Sequence, residues 1–287
     1  MISIIISSYQ PEYFSALQNN IAATVGVPYE IIKIDNPGLM GICRAYNTGA
    51  KQAKFENLLF IHEDILFHTH NWGEKLINHL QDPETGIIGV AGSDYVPMAP
   101  SGWYINGHSY LHLLQNSKSR GQPELINATN RSKQSVFALD GVFLAMQKAK
   151  FEAFRFDEEI TGFHAYDLDI SLRFAKKYKN YVIGDILIEH FSNGNPDKAF
   201  FEENILVRKK CGSDFQLIQD SKIEMLCFKE FLYYYYRYSG INVMNAWQTL
   251  KFIPKGRINF NDYIILLKTY YRYFKFQKYF KEKFAKE

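Results

Sequence analysis

The sequence lacks several features that would assign it to a common class of protein. Its 287 residues include only three cysteines, Cys43, Cys211 and Cys227, and no CxxC pair. This argues against a disulfide framework or a cysteine zinc site, so we expect free thiols in a reducing compartment. No run approaches the roughly 20 apolar residues of a membrane-spanning helix. The chain opens with an apolar strand-like run and no basic leader, which favours a cytoplasmic body over a secreted one.

The net charge is also small, at +3, but it is unevenly distributed. Residues 251–287 hold ten Lys or Arg against three Asp or Glu, whereas the rest of the chain is mildly acidic. With 47% hydrophobic and 22% charged residues, the chain can bury a large core. The length and the shift in composition predict one large domain over residues 1–213 and an aromatic and basic helical extension over residues 214–287.

Apolar strand-like runs alternate with helix-like segments over the first 92 residues. Strands are predicted at 2–8, 30–35, 58–61 and 86–92, and helices at 11–24, 40–54 and 73–81. This order predicts an α/β fold with a mostly parallel sheet flanked by helices on both faces. No GxGxxG turn follows the first strand, which argues against a Rossmann dehydrogenase.

The pattern breaks down between residues 93 and 135, which are rich in Gly, Pro, Asn, Ser and aromatic residues. We predict one long loop there, and long loops are commonly functional. It is either a lid that faces a substrate, with Trp103 among its aromatic residues, or a loop whose aromatic side chains fold back on the core.

Three consecutive ionisable residues, His62, Glu63 and Asp64, end the third predicted strand. Open α/β sheets bind ligands at this end of their strands. An unpaired buried carboxylate is costly, and a bound divalent cation would offset that cost. The alternative is a strand that ends at residue 61 and opens into a polar turn. This segment alone favours neither interpretation.

Several motifs resemble those of the family 2 glycosyltransferases, in the same order and over roughly residues 1–195. Residues 3–10 (SIIISSYQ) resemble the family's SVIIPTYN strand, and residues 30–36 (EIIKIDN) resemble EIIVVDD. Residues 45–49 (AYNTG) are similar to ARNxG. Residues 139–146, 156–160 and 166–173 resemble, in turn, a glycine-containing strand, GFDE and EDxDLxxR.

The resemblance implies a GT-A fold, a nucleotide-sugar donor and a divalent cation, Mn²⁺ or Mg²⁺. The segment from His62 to Asp64 then takes the place of the family's DxD motif. Asp64 would ligate the cation, because hard cations prefer oxygen ligands. His190, after a strand predicted at 181–188, would be a further ligand, or alternatively a residue that only caps the end of that strand. Glu63 is expected to turn away, and His62 to contact a phosphate or the ribose.

The resemblance also implies the other site residues. Asp167 would be the general base of an inverting reaction, although a helix N-cap would explain the same residue. Tyr166 replaces the glutamate of the family's ED pair. The nucleotide contacts implied are Ser7, Ser8, Tyr9 and Asp35, together with His62. From their positions we add Arg44 and Asn47 as candidates for contact with the phosphates or the ribose. Trp103 of the predicted lid and His164, three residues before Asp167, are candidates for contact with the acceptor, and His164 could instead only shape its loop.

We therefore expect an inverting glycosyltransferase of the hexosyltransferase type, with a UDP-sugar as donor and a surface glycan or lipid-linked acceptor. The alternative is a non-catalytic nucleotide-sugar or glycan-binding module on the same fold. A nucleotidyltransferase usually has a glycine-rich loop with a basic residue after the first strand, and residues 7–11 have neither.

The basic segment 251–287 allows two interpretations. If it is helical, Lys268, Arg272 and Lys275 share one face, and Tyr263, Leu267, Tyr270 and Phe274 gather on another. Such a helix could lie on an anionic membrane surface, which would make the protein peripheral on the inner face. Its aromatic residues could instead pack on the body or on a second subunit. We expect no nucleic-acid partner.

Overall fold

The computed structural model describes residues 1–116, 123–127, 132–192, 196–216 and 218–286. The chain forms two compact units. The first consists of Met1–Tyr95 and Gly102–Asn195, and the second of Val96–Ser101 and Pro196–Glu287. The predicted boundary at residue 213 between a catalytic domain and an extension stays a prediction.

Strands and helices alternate in the first unit as the sequence predicts, with small differences at their ends. The strands are β1 (Ile2–Ser8), β2 (Tyr29–Asp35), β3 (Asn57–Ile61), β4 (Ile65–Phe67), β5 (Thr85–Gly89), β6 (Ala91–Ser93), β7 (Ser109–Gln115), β8 (Glu124–Asn127), β9 (Lys133–Val136), β10 (Ala138–Leu139), β11 (Phe143–Gln147), β12 (Lys179–Ile183) and β13 (Ile188–His190). The helices of this unit are α1 (Pro11–Thr24), α2 (Ile42–Gln52), α3 (Trp72–Leu80), α4 (Lys148–Phe154) and α5 (Tyr166–Ala175).

The larger sheet has the strand order β2-β1-β3-β11-β5-β12-β9 within the described residues. All its strands run parallel except β11 and β9, which are antiparallel to their neighbours. In β1, Ile4, Ile5 and Ile6 are fully buried. Helix α2 approaches the sheet closely, because a Cβ at Gly49 would lie 2.4 Å from the Ile5 side chain. The prediction of a mostly parallel α/β sheet flanked by helices is confirmed.

A smaller sheet, ordered β10-β6-β7-β13-β4, forms partly from the predicted 93–135 loop. The prediction of one long loop is wrong, because β7, β8 and β9 lie within it. Among the described side chains of these strands only Leu113 and Val136 are fully buried, so pairing between strands forms them rather than a buried apolar run. Strand β7 pairs with β6, β13 and β8, and β9 pairs with β12. Residues 117–122 and 128–131 of that loop lie outside the described residues.

Two of the predicted strands are each divided in the structure. The strand predicted at 86–92 is split into β5 and β6, and the strand predicted at 181–188 is split into β12 and β13. In both cases the chain leaves the larger sheet and enters the smaller one. Strand β13 pairs with β4 so that His190 lies opposite Ile65. The split therefore brings the end of β13 beside the segment that follows β3.

The second unit is helical. Its helices are α6 (Lys198–Cys211), α7 (Ser221–Ser239), α8 (Val243–Thr249), α9 (Phe260–Lys275) and α10 (Gln277–Phe284), with a 3₁₀ turn at Leu250–Phe252. Among the described residues, no helix is both long enough and apolar enough to span a membrane.

A buried ion pair ties this unit together. Arg257 donates to Glu224 at 2.8 Å, and both side chains are almost fully buried. Arg257 also donates to the Val96 and Ser213 carbonyls, and Glu224 accepts from the Met98 amide. The ion pair thus fastens residues 96–101 to α7.

Replacing Glu224 with alanine should destabilise the second unit strongly. The change removes the buried carboxylate that faces the buried Arg257 guanidinium and leaves the exposed Asp214 carboxylate at 3.2 Å. Breaking a buried pair in this way costs about 3–5 kcal/mol. We expect a lower urea midpoint in far-UV circular dichroism. Glu230→Ala, at an exposed position of the same helix, is the control and should unfold as the wild type does. Equal midpoints for the two variants would contradict the role of this ion pair.

Candidate active site

The candidate site lies where β3 ends and β13 pairs with β4. His62, Asp64 and His190 each offer a ligand atom, and these atoms lie within 4.8 Å of one another. Strand β13 reaches this place through its pairing with β4, and the Phe191 amide donates to the Asp64 carbonyl at 3.0 Å. Asp64 and His190, which are 126 positions apart along the chain, therefore lie next to each other.

The geometry of this triad suits a divalent cation. His190 Nε2 lies 3.7 Å from Asp64 Oδ2, and His62 Nδ1 lies 3.9 Å from Asp64 Oδ1. Both distances are too long for direct hydrogen bonds. Burial, followed by the charge of His62, lowers the pKa of His190, which favours the neutral imidazole that a metal needs. One carboxylate and two imidazoles that face one another are donor groups that fit a divalent transition-metal ion.

Glu63 turns away from the triad and has a separate structural role. Its carboxylate is buried and accepts from the backbone amides of Tyr9 and Gln10, at distances of 3.1–3.2 Å. Gln10 directly precedes α1, whose first amides have no partner within the helix. Glu63 therefore joins the loop that follows β1 to the segment that follows β3.

Four of the predicted nucleotide contacts lie at the ends of β1 and β2. Ser8 lies opposite Asp35 in the pairing of these strands. The Ser8 hydroxyl is buried without a hydrogen-bond partner among the described residues. Ser7 accepts from Asn36 at 3.2 Å, and Asp35 forms an exposed ion pair with Lys33. Tyr9 is 65% exposed. The structure thus brings these four residues to the same edge of the sheet.

Of the three other nucleotide candidates, His62 belongs to the triad, and Arg44 and Asn47 lie on α2. The amide of Asn47 is buried and forms hydrogen bonds in both directions with the Phe156 backbone, at 2.9 and 3.1 Å. It also donates to Glu158 at 2.9 Å. These contacts hold the loop that precedes α5. Arg44 is exposed on the first turn of the helix.

Asp167 lies in the first turn of α5, where its carboxylate is held in a fixed orientation. It accepts from the Gly141 amide at 2.9 Å and from the Leu168 amide at 2.8 Å. Burial and the nearby charge of Asp140 raise the pKa of Asp167 to about 7. The N-cap interpretation is wrong, because Ala165 occupies that position. Asp167 is thus a carboxyl group that can exchange a proton near neutral pH.

The two acceptor candidates lie in other segments of the first unit. Trp103 is partly buried and packs against the core of the first unit, with the Tyr104 ring 5.7 Å away. His164 is half-buried in the segment that precedes α5.

Sequence reasoning did not assign a role to Asp140 or Tyr166. Asp140 accepts from the Val142 amide at 2.8 Å, and its charge acts on both Asp167 and His190. Tyr166 lies with its hydroxyl 2.8 Å from His62 Nε2. A signal for Asp140 was available, because it directly precedes the glycine of a recognised motif. The contact of Tyr166 with His62 spans 104 positions and left no such signal.

Solved glycosyltransferase structures resemble this fold at low sequence identity. The S. aureus TarS 1–349 complex with UDP-GlcNAc matches with a TM-score of 0.53 and 14% identity, covering 88% of this chain and 81% of TarS 1–349. GalNAc-T7 with UDP, GalNAc and Mn²⁺ matches with a TM-score of 0.52 and 10% identity, covering 73% of this chain. The match spans only 47% of GalNAc-T7. No curated protein matches the sequence.

These likenesses establish a GT-A type fold. The family is established separately by the sequence. Residues 3–203 match the model of the family described as "Glycosyltransferase like family", a match that includes every candidate site residue described above. The chain therefore belongs to this glycosyltransferase family, of the family 2-like type.

Proposed function

We propose that the protein is an inverting glycosyltransferase of the hexosyltransferase type, which moves a sugar from a UDP-sugar to a hydroxyl group of a surface glycan or lipid-linked acceptor. The observation that carries this proposal is the triad of His62, Asp64 and His190 at a strand end of a glycosyltransferase fold. UDP and UDP-GlcNAc are bound in the similar structures named above, which supports a uridine donor here.

The triad would hold the cation, with Asp64 between the two imidazoles. When bound, the cation would neutralise the negative charge that grows on the departing diphosphate. Mg²⁺ prefers oxygen ligands, whereas imidazole ligands favour transition metals. Two histidines and one carboxylate therefore favour Mn²⁺ over Mg²⁺ in this chain.

Asp167 would act as the general base. The acceptor oxygen forms a bond to the anomeric carbon, and the bond from that carbon to the diphosphate oxygen breaks. The electron pair leaves with UDP, and the acceptor proton passes to Asp167. Attack from the face opposite the leaving group inverts the anomeric centre, and one base is sufficient for it. The two backbone amides that bind Asp167 keep its carboxylate in place.

The alternative is a module that binds a nucleotide-sugar or a glycan without turnover. Assays of UDP-sugar hydrolysis and of transfer, with Mn²⁺, with Mg²⁺ and after chelation, separate the two functions. A transferase should release UDP in a metal-dependent manner, and faster with Mn²⁺. Binding of UDP-sugar without any metal-dependent release of UDP would favour the module.

Replacing Asp167 with asparagine should reduce kcat for transfer by about 10²–10⁴-fold, the usual contribution of a general base. The amide keeps the size of the side chain but cannot take the acceptor proton. UDP affinity, measured by calorimetry, should stay close to that of the wild type. Glu74→Gln, at an exposed site on α3, is the matched control and should keep full activity. Unchanged kcat in Asp167→Asn would contradict the assignment.

The activity should rise with pH and level off above about pH 7, because Asp167 with a pKa of about 7 must lose its proton to act as a base. A cation bound nearby would move this rise to lower pH. Asp140→Asn removes a negative charge that raises the Asp167 pKa, so the rise in kcat/KM should shift to lower pH in that variant. A shift to higher pH would show that Asp140 does not act on the base in this way.

We further propose that the protein acts at the inner face of a membrane through its second unit. Phe260, Leu267 and Tyr271 lie on one side of α9 and are 61–78% exposed. Lys268 and Lys275 flank them. Burying exposed apolar side chains beside anionic headgroups would stabilise binding to a membrane surface.

Part of the aromatic stripe of α9 instead packs within the second unit. The Tyr270 hydroxyl lies 2.7 Å from the Thr249 hydroxyl, and the Tyr273 ring lies 4.7 Å from the Tyr236 ring. The apolar and aromatic residues of α9 therefore form two groups. Tyr270 and Tyr273 pack within the unit, whereas the exposed Phe260, Leu267 and Tyr271 support the proposed membrane contact.

Vesicle sedimentation tests this proposal. The protein should bind vesicles that contain phosphatidylglycerol, should bind phosphatidylcholine vesicles less, and should bind less at high salt. Replacing Lys268, Arg272 and Lys275 with Gln should weaken binding to anionic vesicles. Lys51, Lys176 and Lys177, exposed in the first unit, are replaced with Gln as a charge-matched control. Equal binding by both triple variants, or by both lipids, would contradict membrane contact through α9.

A further inference from the structure

The two departures from the family's motifs are in direct contact with each other. His62 replaces the first acid of DxD and Tyr166 replaces the glutamate of the ED pair. The Tyr166 hydroxyl lies 2.8 Å from His62 Nε2. The other ring nitrogen of His62, Nδ1, is the one that faces Asp64 Oδ1. The residue at position 166 therefore bears on which nitrogen of His62 is free to bind a cation.

Two neighbouring phenols lie beside His62. The Ile61 carbonyl can only accept, so the Tyr46 hydroxyl donates to it at 3.3 Å. The Tyr166 ring packs edge to face on the Tyr46 ring, with 5.8 Å between their centroids. A phenol oxygen can accept a hydrogen bond as well as donate one, so the Tyr166 oxygen can accept from the Nε2–H of His62 at 2.8 Å.

We propose that Tyr166 is a positioning residue that holds His62 in its Nε2–H tautomer and so leaves the lone pair of Nδ1 directed towards Asp64. Metal-bound histidines almost always donate their other ring N–H to a fixed acceptor, which sets the tautomer and orients the ring. The inference rests on the cation site of the proposed function. It assigns His62 to the cation, whereas the resemblance implied a contact with the nucleotide.

A neutral phenol also suits the surroundings of position 166. The charges of Asp167 and Asp140 both act on the Tyr166 hydroxyl. A glutamate there would add a further negative charge beside them, and like charges close together are costly. The phenol fits because residue 141 is a glycine, whose added Cβ would lie 2.0 Å from the Tyr166 oxygen.

Tyr166→Phe should weaken Mn²⁺ binding by about 10–100-fold, the usual effect of losing such an outer partner. Titration with Mn²⁺ alone, followed by electron paramagnetic resonance, measures this without any turnover. The control is Tyr29→Phe, at the other end of the sheet, which should bind as the wild type does. Circular dichroism checks that both variants fold.

A second measurement reports the tautomer without any metal. In ¹⁵N-histidine-labelled wild-type protein, the His62 signals, identified by their loss in His62→Gln, should show the Nε2–H tautomer. In Tyr166→Phe they should show a mixture of the two tautomers. The Nδ1–H tautomer in the wild type would overturn the inference.

The outcomes separate this inference from the proposed function. If the wild type binds Mn²⁺ and Tyr166→Phe binds it equally well, the role of Tyr166 is wrong and the cation site stands. If the wild type binds no Mn²⁺ even in the presence of UDP, the metal-assisted function is wrong, and the role given to Tyr166 is wrong with it.

Discussion

The candidate site depends on the antiparallel pairing of β13 with β4. Asp64 precedes one of these short strands and His190 ends the other, and the pairing sets their separation. A shift of one residue in this register would turn His190 to the opposite face of the sheet, because side chains alternate along a strand. Parallel pairing with β7 fixes β13 from its other side. The register of the smaller sheet therefore brings the proposed ligands Asp64 and His190 together.

The electrostatics of the site follow from a concentration of acids. Asp64, Asp140 and Asp167 all act on buried groups near β3 and α5. Backbone amides bind Asp140 and Asp167, which offsets part of the cost of their burial. The remaining negative charge is what a divalent cation would balance. The same arrangement keeps the Asp167 pKa close to neutrality, which is where a general base is most effective.

Much of the fold could be predicted from the sequence because its strands are buried on both faces. Such strands form continuous apolar runs, as in β1 and β3, and these are easy to recognise. Strands β7 and β9 could not be recognised, because each pairs with a strand that is distant along the chain, β13 and β12 respectively. Strand β8 depends on them in turn, since it pairs with β7. The same reason explains the two divided strands, since the point where a chain changes sheets depends on tertiary packing.

The candidate site could be predicted from the sequence only in part, namely where its residues belong to a motif. Asp64, His190 and Asp167 were named from motifs and their order, and the structure places the first two together. The contact between His62 and Tyr166 was invisible in the sequence, since each residue is a departure from its own motif. Asn47 belongs to a motif and was expected to contact the nucleotide. In the structure its side chain is hydrogen-bonded to the Phe156 backbone and holds a neighbouring loop.

The buried carboxylate of Glu63 has a consequence for how a donor would be recognised. It connects the loop after β1, where the resemblance places the base and ribose, to the residues on either side of it, His62 and Asp64, at the proposed cation. The two ends of a nucleotide diphosphate would then meet parts of one rigid framework rather than two independent loops. The distance between these two contacts would then be fixed. A nucleotide with one phosphate fewer would not reach from the base and ribose contacts to the proposed cation.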